Sequence, residues 1–207
     1  MKKEFKIIDK EVMHAGFFRL NKYQIQHTLF AGGWSEVLTR ELFERGNCVA
    51  VLLYDPEKGK VVIIEQFRLG PINEPDNEPD NEPDNEPENA WMLEIVAGII
   101  DAGETAEQVA FREAKEEAGC VVKKMHFINE FYTSPGGASE KISLFYGEID
   151  SDDIGGLHGL AHEHEDILVK TVSFDEAYQM VTEGTIESAI PIIAIQWLAL
   201  NKHNLPV

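Results

Sequence analysis

Three glutamates stand at Glu113, Glu116 and Glu117, spaced i, i+3 and i+4. On a helix this spacing puts them within roughly a 100° sector of one face. Like charges so close repel, each neighbouring pair costing a few tenths of a kcal/mol on an isolated helix. A divalent cation removes the conflict. Mg²⁺ and Mn²⁺ take hard oxygen ligands and keep several waters, which leaves coordination positions for phosphate groups. Taken alone, the three glutamates would also fit a solvated acidic face. Their flanks extend the pattern. Gly98 stands six residues before Glu104, Glu104 stands eight before Arg112, and Gly119-Cys120 closes the run. The segment 98–120 reads Gly-x5-Glu-x7-Arg-Glu-Ala-x-Glu-Glu-x-Gly-Cys. A cation held there would polarise a phosphoryl oxygen, lower the pKa of a bound water and offset charge on a leaving phosphate.

A helix over about 105–119 has to present these carboxylates. Thr105 is its N-cap, with Gln108 three residues on to complete a capping box. Gly119 sits where a helix terminates. Trp91–Val96 is predicted as the strand that leads into it. Upstream, residues 4–45 read as a small antiparallel sheet: Phe5–Ile8 opens it, short alternations follow at Phe17–Leu20 and Tyr23–Gln26, Gly32-Gly33 turns, and Trp34–Leu42 continues. Cys48–Tyr54 and Lys60–Phe67 form a hairpin around Asp55-Pro56-Glu57-Lys58-Gly59. Further strands are predicted at 125–133, 141–149 and 166–172, and helices near 174–183 and 187–202. The last helix is apolar on most faces, so it is expected to pack under the sheet. Residues 73–88 are four tandem tetrapeptides, Asn-Glu-Pro-Asp three times and then Asn-Glu-Pro-Glu. Proline at every fourth position blocks helix and central strand, and nothing there can be buried, so a solvated, disordered loop is expected. Cation capture by its eight carboxylates is the alternative.

The segment 98–120 resembles the Nudix box at every fixed position. That resemblance implies a Nudix fold, an α+β arrangement (α/β/α sandwich) with a mixed β-sheet between helices, and cleavage of a diphosphate linked to a second group. It also implies roles. Glu113, Glu116 and Glu117 would be the metal ligands, with the carbonyl of Ala97 as a further one, and the ion would be Mg²⁺, with Mn²⁺ able to substitute. Arg112 would orient the glutamates by ion pairing, and Glu104 would support the loop. Four further features resemble the ADP-ribose pyrophosphatase subfamily. Pro135, in Ser134-Pro135-Gly136-Gly137, falls sixteen residues after Gly119, as that subfamily's proline marker does, and Ser134 beside it counts among the substrate-contacting residues. The run Gly155–Asp166 is glycine-hinged and then acidic, a form suited to closing over substrate. The match puts Glu163 at the general-base position, with Glu165 the alternative base or a metal-linked acid; a zinc site built on its histidines is a competing reading. Arg40 and Arg68 match arginines that contact the diphosphate or the adenine end, or else are surface arginines. Finally, the N-terminal β-segment resembles a dimerisation domain that helps build the neighbour's site. There Phe17 would stack on adenine, or else fill a core, and Glu140 would reach into the partner subunit. The one departure is the acidic tract, where the subfamily has a much shorter connection.

Composition sets the outer limits. The chain has 207 residues, 43% hydrophobic and 27% charged, as expected of a globular protein large enough for its own core. Its net charge is −19, and 73–88 contributes eight acids and no base. A long nucleic acid, which binds through clustered Lys and Arg, is therefore disfavoured. A small anionic ligand would need local arginines or bound cations. Cys48 and Cys120 both lie in apolar runs and read as buried thiols. No apolar stretch follows Met-Lys-Lys-Glu-Phe-Lys, and none elsewhere is long enough to span a bilayer, so neither a signal peptide nor a membrane partner is expected and the cytoplasm is the default location. The expected organisation is an N-terminal β dimerisation domain over 1–45 and a Nudix catalytic domain over 46–207, in a homodimer. The resemblance points to ADP-ribose hydrolysis, giving AMP and ribose 5-phosphate. Two alternatives stay open: a hydrolase of another nucleoside diphosphate sugar, such as a GDP- or ADP-hexose, and a non-catalytic ADP-ribose sensor.

Overall fold

A computed structural model of the protein describes residues 2–72 and 90–206; the tetrapeptide tract of 73–88, expected to be a disordered loop, lies outside the described residues. The chain divides into two compact units. One comprises 1–48 and 130–142, the other 49–129 and 143–207.

The first unit is built on an antiparallel sheet of β1 (Phe5–Ala15), β2 (Arg19–His27) and β3 (Leu38–Glu44), in the order β1-β2-β3. The two short alternations expected around residues 17–26 are one strand, whose register against β1 shifts between Ile7 and Asp9 and again between Val12 and His14. Such bulges break the period-2 pattern that a sequence reading relies on. Every side chain of β1 is exposed, which removes the remaining signal. Gly32-Gly33 does turn the chain, and Trp34 makes only an isolated bridge to Thr28 before β3 begins. Residues 130–142 join this unit through Phe43, whose N–H donates to Gly137 O at 2.8 Å and whose carbonyl accepts from Ser139 N–H at 3.0 Å.

The larger sheet runs β10-β11-β5-β4-β9-β8, with β6 added on β5 and β7 on β4. Its strands are β4 (Cys48–Asp55), β5 (Lys60–Phe67), β6 (Trp91–Glu94), β7 (Val96–Ile99), β8 (Lys124–Tyr132), β9 (Lys141–Glu148), β10 (Gly156–His158) and β11 (Ile167–Ser173). The expected single strand 91–96 is two strands, and β10 lies inside what read as a glycine loop. All eight residues of β4 are buried, as a strand covered on both faces should be. Alternation divides them. Val49, Val51 and Leu53 join Val62, Ile64 and Phe145 in a core with α1 (Ala106–Ala118), through Val109, Ala110, Ala114 and Ala118. Tyr146, adjacent to Phe145 and therefore facing the other way, meets Trp197 of α3 (Ala189–Asn201) at 6.1 Å between ring centroids. Helix α2 (Phe174–Glu183) packs on α3, β5 and β11. The layers are thus α1, sheet, and α2 with α3. Both cysteines are free and buried.

Candidate active site

Helix α1 is fixed at both ends by local chemistry. The Thr105 side chain accepts from Gln108 N–H, and the Gln108 side chain accepts from Thr105 N–H at 2.9 Å. At the other end Gly119 adopts φ +64 and donates to Lys115 O at 3.0 Å. With its small residues facing the core, the helix turns the acidic stripe toward β7, against which it packs. Gly98 of β7 makes this approach possible. A Cβ there would lie 1.9 Å from Glu113 Oε1, so only glycine leaves room for that carboxylate.

Arg112 organises the cluster. Its Nη1 donates to Glu113 Oε1 at 2.8 Å and to Glu116 Oε2 at 2.9 Å, while Nε and Nη2 reach the two oxygens of Glu104 at 3.2 and 3.3 Å. The hydrogen bonds from Arg112 hold Glu104 below the usual carboxylate range. Glu117, 3% exposed, turns inward and accepts from Ala97 N–H at 2.9 Å. Burial drives the Glu113 carboxyl up to about 7; Arg112 opposes this, and Glu116 and Glu165 add to it. Burial likewise drives Glu117 up to about 8, against the Ala97 N–H and Arg68 and with Glu113 and Glu165.

The donor set therefore fits a hard divalent cation: three glutamates sit together on one helix, and two of them, Glu113 and Glu117, are buried. Among the described residues, no three acidic, histidine or cysteine side chains already converge on one point. The reason is visible in the pairing, since Arg112 engages Glu113 and Glu116 while Glu117 is turned to the backbone. At Ala97 the observed contact is through its N–H.

Of the two loop acids, Glu165 is the one whose charge reaches the cluster. Its Oε2 accepts from Leu160 N–H at 3.0 Å. Glu163 ends a single 3-10 turn (Ala161–Glu163); its side chain is 54% exposed and pairs with His162 Nε2 at 3.5 Å. Arg68 follows β5, and its charge is felt at Glu117. Nε and Nη2 of Arg68 both donate to Glu94 Oε2, at 2.9 and 2.7 Å, and the same oxygen accepts from Gln66 Nε2 at 3.2 Å. Neither Glu94 nor Gln66 stands out in the sequence. Gln66 lies two residues before Arg68, and only the β5–β6 register, Ile64 opposite Glu94 and Gln66 opposite Met92, brings Glu94 to both.

The remaining candidates belong to the first unit. Phe17 is 86% exposed and touches Phe18 edge-on, so it fills no core. Arg40 lies on exposed β3, its Nη1 on Thr39 O at 2.8 Å. Ser134 caps the turn ahead of β9, its carbonyl accepting from Gly137 and Ala138 N–H. Glu140 is buried and occupied: Oε1 accepts from Arg45 Nε at 3.0 Å and Cys48 Sγ at 3.5 Å, and Oε2 from Thr133 Oγ1 at 2.9 Å. Within its own unit, Glu140 thus links Arg45, just past β3, with Cys48 and Thr133.

The NUDIX domain matches residues 44–192. The chain belongs to the Nudix family. It is 44% identical over 204 residues to the ADP-ribose pyrophosphatase of Escherichia coli K12, covering 99% of this chain and 92% of that one. To the ADP-ribose pyrophosphatase of Haemophilus influenzae it is 42% identical over 202 residues, with 98% and 89% covered. The GDP-mannose pyrophosphatase of Cronobacter sakazakii is 38% identical over 163 residues, 78% of each chain. A crystal structure of an ADP compounds hydrolase superposes with a TM-score of 0.66 at 17% identity, over 96% of this chain and 97% of that one, which confirms the Nudix fold. No helix among the described residues is long and apolar enough to cross a membrane.

Proposed function

We propose that this Nudix chain is a Mg²⁺-dependent hydrolase of ADP-ribose, releasing AMP and ribose 5-phosphate. The observation that carries the chemistry is the α1 cluster. Arg112 braces Glu113 and Glu116 on one helix face and Glu104 ahead of it, and Gly98 lets Glu113 come in against the strand. The choice of substrate rests on near-full-length similarity to the ADP-ribose pyrophosphatases, which exceeds the similarity to the GDP-mannose pyrophosphatase in both identity and coverage.

Glu113, Glu116 and Glu117 would hold the cation, with Mn²⁺ able to substitute. Bound there, it would stabilise charge developing on the diphosphate oxygens. The chain's own groups do the rest. Arg68, held in one orientation by Glu94, offers a guanidinium to the diphosphate. Glu163, exposed and lightly held, is free to take the proton of the attacking water. Glu165 stays beside Glu113 and Glu117 and completes the acidic surroundings of the ion. Kinetics decide the substrate. ADP-ribose, GDP-mannose and an ADP-hexose should rank in that class order, with ADP-ribose first in kcat/KM, and EDTA should abolish turnover. A higher kcat/KM for GDP-mannose would overturn the assignment, as would undiminished hydrolysis in EDTA.

The N-terminal unit supports a second part of this reading, a homodimer in the cytoplasm. Phe5, Ile7, Ile8, Val12 and Met13 of β1 are all at least half or nearly half exposed, a concentration of apolar surface typical of an interaction face. Arg40, Phe17, Ser134 and the 134–140 turn belong to this unit and would contact substrate from it. Sedimentation equilibrium of the full chain should give twice the monomer mass at micromolar concentration; a monomer would remove this part.

A further inference from the structure

A loop that must hold carboxylates beside a reacting bond needs an anchor. Part of the anchoring of residues 159–165 is internal. Leu160 O accepts from Glu163 N–H at 2.9 Å and from Glu165 N–H at 3.3 Å, and Leu160 N–H returns a bond to Glu165 Oε2. These bonds fold the loop on itself and do not tie it to α1.

His158 supplies that tie. It is the last residue of β10, paired with Ile167 of β11, and the loop begins immediately after it. Its ring lies over Gly119, where a Cβ would come 2.5 Å from Cε1 and 3.2 Å from Nδ1. Its Nε2 stands 3.1 Å from Gly155 O. A carbonyl only accepts, so Nε2 carries the proton and the ring orientation is fixed. The imidazole, immediately ahead of the loop, thus spans from the Gly155 carbonyl just before β10 to the C-terminal end of the helix that bears Glu113, Glu116 and Glu117.

We propose that His158 is a positioning residue that docks the Glu163–Glu165 loop onto the end of α1, and that the bare Cα of Gly119 is its socket. Gly119 then has two reasons to be glycine. One is its left-handed φ, which asparagine also tolerates at a helix end. The other is the space above it, which asparagine fills. The two can be separated by substitution. Only the kinetic arm of the test rests on the ADP-ribose reading.

The experiment is amide hydrogen exchange on the full chain, paired with steady-state hydrolysis of ADP-ribose at saturating Mg²⁺. His158→Ala should speed exchange across residues 159–165 at least tenfold while leaving α1 unchanged. It should lower kcat tenfold or more, with KM moving less than threefold. His158→Phe, which keeps a ring in the socket, should regain more than half of the lost protection. Gly119→Asn should reproduce the loosened loop with α1 intact, and adding His158→Ala to it should loosen the loop no further. Unchanged exchange at 159–165 in His158→Ala overturns the proposal, and so does an equal rise along α1, which would make His158 ordinary packing. If His158→Ala does not fold, Gly119→Asn decides alone. Failure of the wild-type chain to cleave ADP-ribose would remove the substrate reading and leave the exchange result to judge the docking.

Discussion

Glu163 and Glu165 are separated by one residue and placed in different surroundings. Glu165 is drawn in by Leu160 N–H, and its charge is felt at Glu113 and Glu117. The Glu163 side chain is more than half exposed and, among the described residues, pairs with His162. An acid that helps neutralise a cation should sit where Glu165 does, and an acid that must collect a proton should be free to move, as Glu163 is. The two amide variants should therefore fail differently. Glu165→Gln should raise the Mg²⁺ concentration for half-maximal rate at least tenfold. Glu163→Gln should lower kcat at saturating Mg²⁺ by two orders of magnitude or more and leave the Mg²⁺ requirement within about threefold, since it removes a proton acceptor and no ligand. Mg²⁺ titrations of the hydrolysis rate read both effects. The assignment falls if the two variants exchange these phenotypes.

At the scale of elements, α1 packs on β7 to form the candidate site, and Gly98 leaves the room that Glu113 occupies between them. Gly98→Ala would put a Cβ 1.9 Å from Glu113 Oε1. The obstruction runs from Oε1 through Cδ to Cγ of Glu113, which is buried and paired with Arg112, so the chain yields only by moving that side chain as a whole, at a cost in stability of about 1–3 kcal/mol. Activity should fall at least a hundredfold, because Glu113 is then displaced from Arg112 and from the cation position. Melting temperature and kcat/KM measured on one preparation separate the two quantities; a collapse of stability without a specific loss of rate would refute the argument. This pair of elements also shows what a sequence can carry. The helix, its caps at Thr105 and Gly119 and its acidic stripe are all local, governed by spacings of three and four residues. The support for Arg68 was not legible, since Glu94, 26 residues on in the chain, reaches it and the neighbouring Gln66 only through a strand register. Nor was the contact of His158 with Gly119, a glycine that the helix pattern had already explained. Strand β10 was hidden for a related reason: Gly155, Gly156 and Gly159 around it read as a hinge, and the pairing with β11 decides otherwise.

For the molecule as a whole the governing quantity is charge. The chain carries −19, and ADP-ribose is an anion with a charge on each phosphate. At an ionic strength of about 10 mM the Debye length is roughly 30 Å, so an approaching substrate meets the field of the whole protein; at about 150 mM it is roughly 8 Å, and only the nearest groups count. In the proposed site those nearest groups would be Arg68 and a bound cation, whose short-range attraction would be screened far less than the distant repulsion. Raising salt across this range, with Mg²⁺ constant and saturating, should therefore increase kcat/KM for ADP-ribose about two- to fivefold and leave kcat nearly unchanged. The acidic tract supplies a control. Replacing its acids at 73–88 by their amides changes the net charge from −19 to −11. If the field is spread over the molecule, that variant should start from a higher kcat/KM at low salt and respond to added salt less steeply. A fall of kcat/KM with salt in the natural chain would mean that local arginines, not the net charge, dominate the encounter, and the two salt slopes would then coincide.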